Sequence, residues 1–171
     1  MAKGSKLRDR IEPGVRVLFV GINPGIRSAA IGHHFAGYSN RFWKLLFDAG
    51  LVPERLRAED DRRLPEWGFG ITNLIARATP GIDTLRPEEY AAGVGALRRK
   101  VRRFKPQTVA FVGVTLYRAL FNRPGACALG EQQETFEGAR VVVLPNPSGR
   151  NANYSYAQMR EAFAQLSRFL Y

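Results

Sequence analysis

At 171 residues and 45% hydrophobic, the chain is long enough to bury one sizeable core, and its length calls for no second domain. Lys and Arg total 26 against 15 Asp and Glu, a formal net charge of +11, which repels basic partners and attracts a polyanion such as nucleic acid. Cys127 is the only cysteine and His33 and His34 the only histidines, so an internal disulfide, a four-thiolate site and a metal site of ordinary composition are all unsupported.

The opening MAKGSKLRDR is basic without the apolar stretch of a signal peptide. No 18-residue apolar run follows it. The expectation is a cytoplasmic, nucleoid-associated monomer with no membrane contact, built of a basic flexible tail over 1–14 and one domain over 15–171. RVLFV (16–20) is short, apolar and β-branched, the pattern of a parallel strand covered on both faces. SNRFWKLLFDAGL (39–51) predicts a helix, with Ser39 as N-cap, Phe42, Leu45, Leu46 and Ala49 at helical spacing, and Gly50 as the stop. GFGITNLI (68–75) predicts a second strand. TLRPEEYAAGVGALRRKVRRF (84–104) predicts a long helix capped by Thr84, with acidic residues in its first turn. TVAFVG (108–113) is a third buried strand, VTLYRALF (114–121) a helix, RVVVLP (140–145) a fourth strand and SYAQMREAFAQLSRFL (155–170) a closing helix. This alternation implies an α/β fold: a single-domain, three-layer α/β/α sandwich with a mostly parallel central sheet of about four strands.

GINPG ends the first strand, ITN the second and LPNPSG the fourth. In open α/β sheets ligands bind at the carboxyl ends of the strands, so these three stretches converge on one crevice. Gly and Pro alone would suffice for turns, but turns do not require Asn23, Asn73, Asn146 and Ser148 together. The sequence has no GxxxxGK[ST] loop and no GxGxxG after a strand, so phosphate-cradling nucleotide sites are unsupported. The carboxylates Glu54, Glu59, Asp60, Asp61, Glu88 and Glu89 are placed in helices and surface loops, which leaves a two-carboxylate sugar hydrolase without its acids. What remains is an amide-lined, glycine-rich pocket in a basic protein. An amide is a poor base, yet its carbonyl can orient a water while its NH₂ holds something else, which suits a reaction whose leaving group departs readily.

GINPG, then GHHF with NRFWKLLFDAGL, then GFGITNLIARATPG, then LPNPSGRNA resemble, in order, the motifs of the mismatch-specific uracil-DNA and thymine-DNA glycosylases, within the uracil-DNA glycosylase superfamily. The similarity spans roughly 15–170. Members of that family flip uracil or thymine out of a mismatch with guanine and hydrolyse its N-glycosidic bond, because C1′ is inaccessible inside the duplex. The resemblance therefore implies a monofunctional enzyme of base excision repair that needs no cofactor and no metal and takes double-stranded DNA carrying G·U or G·T mismatches. It matches Asn23 to the residue that positions the attacking water, and Gly21, Ile22, Pro24, His34, Phe35, Asn73, Asn146 and Ser148 to the base pocket.

Within that pocket Phe35 is matched to the ring that stacks on the base, although a core aromatic would give the same pattern. His33 and His34 are expected to shape their loop rather than to donate protons. Asn73 falls where relatives differ between an amide and a lysine. NPSGRNA resembles the loop that enters the duplex and fills the gap, with Pro147, Gly149, Arg150 and Asn151 at the wedge and the widowed guanine. Here the chain departs from the pattern: Arg150 stands where relatives carry an apolar wedge, and Ala152 where others place an arginine. Arg150 suits either the guanine edge or a phosphate. RRKVRRFK (98–105) is taken as a solvated helix face. Two other classes stay open: an inactive nucleic-acid-binding module on the same fold, which would not need Asn23, and a small-molecule nucleoside hydrolase, which would need carboxylates at the strand ends.

Overall fold

The computed structural model describes residues 7–123, 125 and 127–170. Five strands form one sheet: β1 (Val17–Gly21), β2 (Phe69–Asn73), β3 (Thr108–Val112), β4 (Gly130–Phe136) and β5 (Ala139–Leu144), in the order β2-β1-β3-β5-β4. The first four in that order are mutually parallel, and β4 runs antiparallel to β5 along one edge. Every residue of β1 and β3 is buried, as a strand covered on both faces requires.

The two-residue period of β1 divides the core. Val17 and Phe19 point into a layer with Phe42, Trp43, Leu45, Leu64 and Phe163, from helix α2 (Phe42–Asp48), a 3-10 helix (Ala58–Trp67) and helix α5 (Tyr156–Ala164). Leu18 and Val20 point the other way, onto Leu97, Val101, Leu116 and Tyr117 of helices α3 (Pro87–Phe104) and α4 (Val114–Phe121). The three-layer α/β/α architecture of the sequence analysis is therefore present, with five strands in place of about four. The additional strand is GEQQETF, whose only fully buried residue is Phe136. An edge strand needs one covered face and presents polar residues on the other, so it carries no apolar run. Glu137 and Gly138, with φ of 49° and 82°, turn it into β5 as a two-residue hairpin with left-handed central residues requires.

Element boundaries move for local reasons. Helix α2 begins at Phe42 rather than after Ser39, and the Asn40 side chain supplies the acceptor for the Phe42 N–H at 2.9 Å. Helix α3 begins at Pro87, with Arg86 rather than Thr84 as N-cap, because proline fits the first helical position and Glu89 Oε2 accepts from the Arg86 N–H at 2.8 Å. The closing segment starts as expected at Ser155, whose hydroxyl accepts from the Gln158 N–H, but tightens after Ala164 into a 3-10 turn over Gln165–Phe169. A short helix α1 (Ile26–Ile31) follows GINPG directly.

Part of the expected loose tail over 1–14 is fixed. Residues 1–6 lie outside the described residues. Beyond them, Arg10 exchanges both backbone hydrogen bonds with Ile71 of β2 at 2.9 Å, and Asp9 receives Thr72 Oγ1 and the ammonium of Lys100. The segment is pinned to the free edge of β2. Among the described residues no helix is long and apolar enough to cross a membrane.

Candidate active site

The carboxyl ends of β1, β2, β3 and β5 open into one cavity of about 310 Å³, whose walls include Gly21, Ile22, Asn23, Pro24, Phe35, Asn73, Val112 and Asn146. Gly21 and Asn73 are register partners at the ends of neighbouring strands. A Cβ at position 21 would stand 2.7 Å from Asn73 Oδ1 and 3.6 Å from Phe35 Cζ. Only glycine lets the amide and the ring approach the strand end together.

Asn23 is held by the segment that leaves β2. Its Nδ2 donates to the Arg77 carbonyl at 2.8 Å and to Thr79 Oγ1 at 2.7 Å, and the Thr79 hydroxyl donates onward to the Gly81 carbonyl. Thr79 can therefore only accept from Asn23, and both amide protons are engaged. Oδ1 is left as the acceptor with no partner among the described residues, on a side chain that lines the cavity. The holding segment is itself fixed: Thr79 N–H donates to the Pro24 carbonyl at 3.2 Å, and the Arg77 guanidinium grips Glu89 of α3 at 2.8 and 3.0 Å and the Thr84 carbonyl at 2.9 Å. Arg77, followed by the Arg86 N–H, holds the Glu89 carboxyl down at about 2. Close approach of α3 depends on Gly93, where a Cβ would fall 2.4 Å from the Leu74 carbonyl.

Phe35 forms the opposite wall. Its ring stacks on Phe42 with centroids 4.2 Å apart and planes 23° apart, so one face is packed, and the residue lines the cavity. Its φ of 51° lies in the left-handed region, unusual for a bulky residue and maintained only where the surroundings fix both neighbours. They do so here. The His34 N–H donates to Asp61 Oδ2 at 2.9 Å, the His34 carbonyl accepts from Trp43 Nε1 at 3.0 Å, and the Ala36 N–H donates to Ser28 Oγ at 3.0 Å.

Asp61 corrects the sequence reading, which placed it among surface carboxylates. Its side chain is 0% exposed and also accepts from Arg10 Nε at 3.0 Å and His33 Nδ1 at 3.1 Å. Arg10 reaches on to the Gly32 carbonyl at 3.1 Å, so one buried carboxylate ties the N-terminal segment, the GHHF loop and the 3-10 helix into a single support. The other histidine is fixed as well: its Nε2 lies 2.7 Å from the Arg8 carbonyl, which can only accept, so Nε2 carries the proton. Burial pushes the His34 pKa down, against the opposing pull of that carbonyl and of Asp61. The imidazole is neutral and already engaged.

The 146–151 loop docks onto the segment before α2. Arg41 N–H donates to the Pro147 carbonyl and Gly149 N–H to the Ser39 carbonyl, both at 2.9 Å, and a Cβ at Gly149 would stand 2.7 Å from that Ser39 oxygen. Asn146 Oδ1 accepts from Ser148 N–H at 3.0 Å, Ser148 Oγ from Arg150 N–H at 3.2 Å, and Asn151 Nδ2 donates to the Asn146 carbonyl at 3.0 Å. Asn146, Ser148 and Arg150 line the cavity. Pro147, Gly149 and Asn151 are outside its lining and anchor the loop instead. Three contributors escaped the sequence: Thr79, the Arg77–Glu89 clamp and Asp61. The TPG turn was a local signal for the first, whereas no local pattern separates Asp61 from its acidic neighbours.

No carboxylate lines the cavity, and among the described residues no group of three or more His, Cys, Asp or Glu is placed to hold a metal ion. At the carboxyl ends of a mostly parallel α/β sheet the cavity thus brings together amides, an aromatic ring and the 146–151 loop. The chain belongs to the uracil DNA glycosylase superfamily, whose family model matches residues 9–167. Membership makes it a DNA N-glycosylase, acting on DNA. Among solved structures, the solution NMR structure of a "putative Uracil DNA glycosylase" from Methanosarcina acetivorans shares the fold, with a TM-score of 0.68 and 18% sequence identity over 98% of each chain.

Proposed function

We propose that this protein is a monofunctional glycosylase that extrudes uracil, and also thymine, from mismatches with guanine and hydrolyses the N-glycosidic bond, initiating base excision repair. The observation that carries the proposal is Asn23, whose two amide protons are engaged by Arg77 and Thr79 while Oδ1 is left to accept from a water on the cavity side. The glycosidic bond breaks through an oxocarbenium-like sugar, and charge on the departing pyrimidine spreads over its ring oxygens. Preorganised dipoles can stabilise such charge without a protein acid, which accords with a cavity lined by no carboxylate and with a His34 that is neutral and engaged. In this mechanism Asn23 orients the water and Phe35 stacks on the base. Ile22, Pro24 and Gly21 line the pocket, and Asn73 offers its amide to the polar edge of the base. The 146–151 loop enters the duplex with Arg150 foremost, meeting the gap or the widowed guanine. No metal takes part.

The test is single-turnover excision on duplexes carrying G·U, G·T and A·U and on single-stranded uracil, followed by alkaline cleavage of abasic sites. Release from G·U, sustained in a chelator, is expected. In Asn23→Ala the excision rate should fall by a factor of about a hundred or more, comparable to losing one preorganised polar group in other sites, while mismatch binding and Tm stay close to those of the parent. A fast rate in folded Asn23→Ala would remove Asn23 from the mechanism. Joint loss of stability, binding and rate would make it a turn former only.

A further inference from the structure

Three large hydrophobic side chains stand exposed among the described residues: Tyr38 at 90%, Ile26 at 55% and Ile82 at 38%. All three lie in or next in sequence to segments that line the cavity described above. Ile82 is part of its wall, Ile26 follows the wall residue Gly25, and Tyr38 lies between the wall residues Gly37 and Ser39. Isolated exposed apolar groups are ordinary on a protein surface, but their grouping in the segments that line one cavity favours a contact surface.

Tyr38 is also held. The Arg27 guanidinium lies 4.1 Å from its ring centroid, and Arg27 Nε donates to the Ala36 carbonyl at 2.9 Å, which anchors the cation between α1 and the loop carrying Tyr38. One face of the ring is covered by a positive charge and the other is open. Arg27 takes part in no ion pair among the described residues, nor does Arg150, which lines the cavity. Positive charge with a free aromatic face is the combination that binds a nucleic-acid strand: cations for the phosphates, the ring for a base, which stacks whatever its identity.

We infer that Tyr38, backed by Arg27, forms a shelf that stacks an unpaired nucleobase next to the one entering the cavity. The inference rests on the proposed function for the identity of the strand. It adds a second base-binding position outside the cavity, at which stacking holds the target strand while the base is extruded.

The test compares Tyr38→Ala, Tyr38→Phe and Tyr38→Trp for binding to a G·U duplex made uncleavable by a 2′-fluoro substituent on the target nucleotide, and to a single strand carrying the same lesion. In parallel, 2-aminopurine is placed immediately 5′ or 3′ of that nucleotide. Expected are affinity lower by about tenfold in Tyr38→Ala, within the range seen when one stacking aromatic is removed, affinity near the parent's in Tyr38→Phe and Tyr38→Trp, and 2-aminopurine quenched at one of the two positions by the parent but not by Tyr38→Ala. Parental affinity in Tyr38→Ala overturns the inference. So does an equal loss in Tyr38→Phe, which would assign the hydroxyl instead of the ring, or dissociation of a dimer by Tyr38→Ala at unchanged DNA affinity, which would assign the shelf to a second copy of the chain. A side chain this exposed is not needed for folding, and equal Tm across the variants confirms it. Wild-type uracil release is measured separately, so failure of the glycosylase proposal and failure of the shelf give different results.

Discussion

Two basic regions of the molecule use their charges differently. Along α3 and the β4–β5 edge four cations are matched: Arg98 and Arg102 both reach Glu137 at 2.8 Å, Lys100 reaches Asp9 at 2.7 Å, and Arg140 reaches Glu131 at 3.2 Å, while Arg99 and Arg103 of the same helix enter no ion pair among the described residues. Arg102, and after it Arg98, holds the Glu137 carboxyl below its usual range. Around the cavity, Arg27 and Arg150 have no acidic partner among the described residues, and no carboxylate among those residues lines the wall. The net charge of +11 attracts a polyanion, and the matched cations contribute less to that attraction than the unmatched ones. A charge already balanced at contact distance adds little to the field a phosphate feels; an unbalanced one beside a concave mouth adds most.

The sharpest contrast is between two carboxylates, the buried Asp61 that supports the Phe35 loop and Glu137 at the β4–β5 turn. Asp61→Asn leaves Arg10 and His33 facing a buried amide with one acceptor, and removal of one partner from a buried ion pair typically costs about 3–5 kcal/mol. A large fall in Tm is expected by thermal melting. Glu137→Gln breaks a solvent-facing cluster and should shift Tm far less. Similar shifts for the two would mean that Asp61 is not the support of the Phe35 loop.

Next in size is DNA binding. Arg150→Ala should weaken duplex affinity and reduce the slope of log K against log salt by about 1, as loss of one phosphate contact does. The double substitution of Arg98 and Arg102 should leave that slope nearly unchanged. A slope that responds more to α3 than to the mouth would reverse the comparison. For Arg150→Ala, excision should also fall further on a G·U duplex than on single-stranded uracil, where no stack must be broken. Equal losses would place Arg150 with the base inside the pocket.

The smallest expected effect concerns pH. The folded pKa of His34 is lowered by burial, so the unfolded chain binds a proton there first. The stability this group contributes is fully present above the unfolded value of about 6.5 and declines as pH falls below it toward the lowered folded value. Tm should therefore drop between about pH 7 and pH 5, and the drop should shrink in His34→Gln, which can still donate toward the Arg8 carbonyl but does not titrate. An undiminished drop would assign the effect to other groups.

What the sequence determined by itself is local or periodic. The four parallel strands are continuous apolar runs because both of their faces are covered, and the glycine, proline and asparagine at their ends placed Gly21, Asn23, Asn73 and Asn146 at one crevice, since a parallel sheet brings its carboxyl ends to the same side. The tertiary structure alone decided the rest. GEQQETF is a strand because it lies at an edge beside β5, a fact about its neighbour that its own alternation of polar residues does not carry. Asp61 lies in the same acidic run as Glu59 and Asp60, and only the approach of Arg10 and the GHHF loop, 51 and about 27 residues away in the chain, turns it from a surface acid into a buried support. The orientation of Asn23 follows the same rule. Its presence at the strand end is readable from GINPG, but which of its atoms faces the cavity depends on Arg77 and Thr79, more than fifty residues later, because a side-chain amide is directed by the donors and acceptors that folding brings to it.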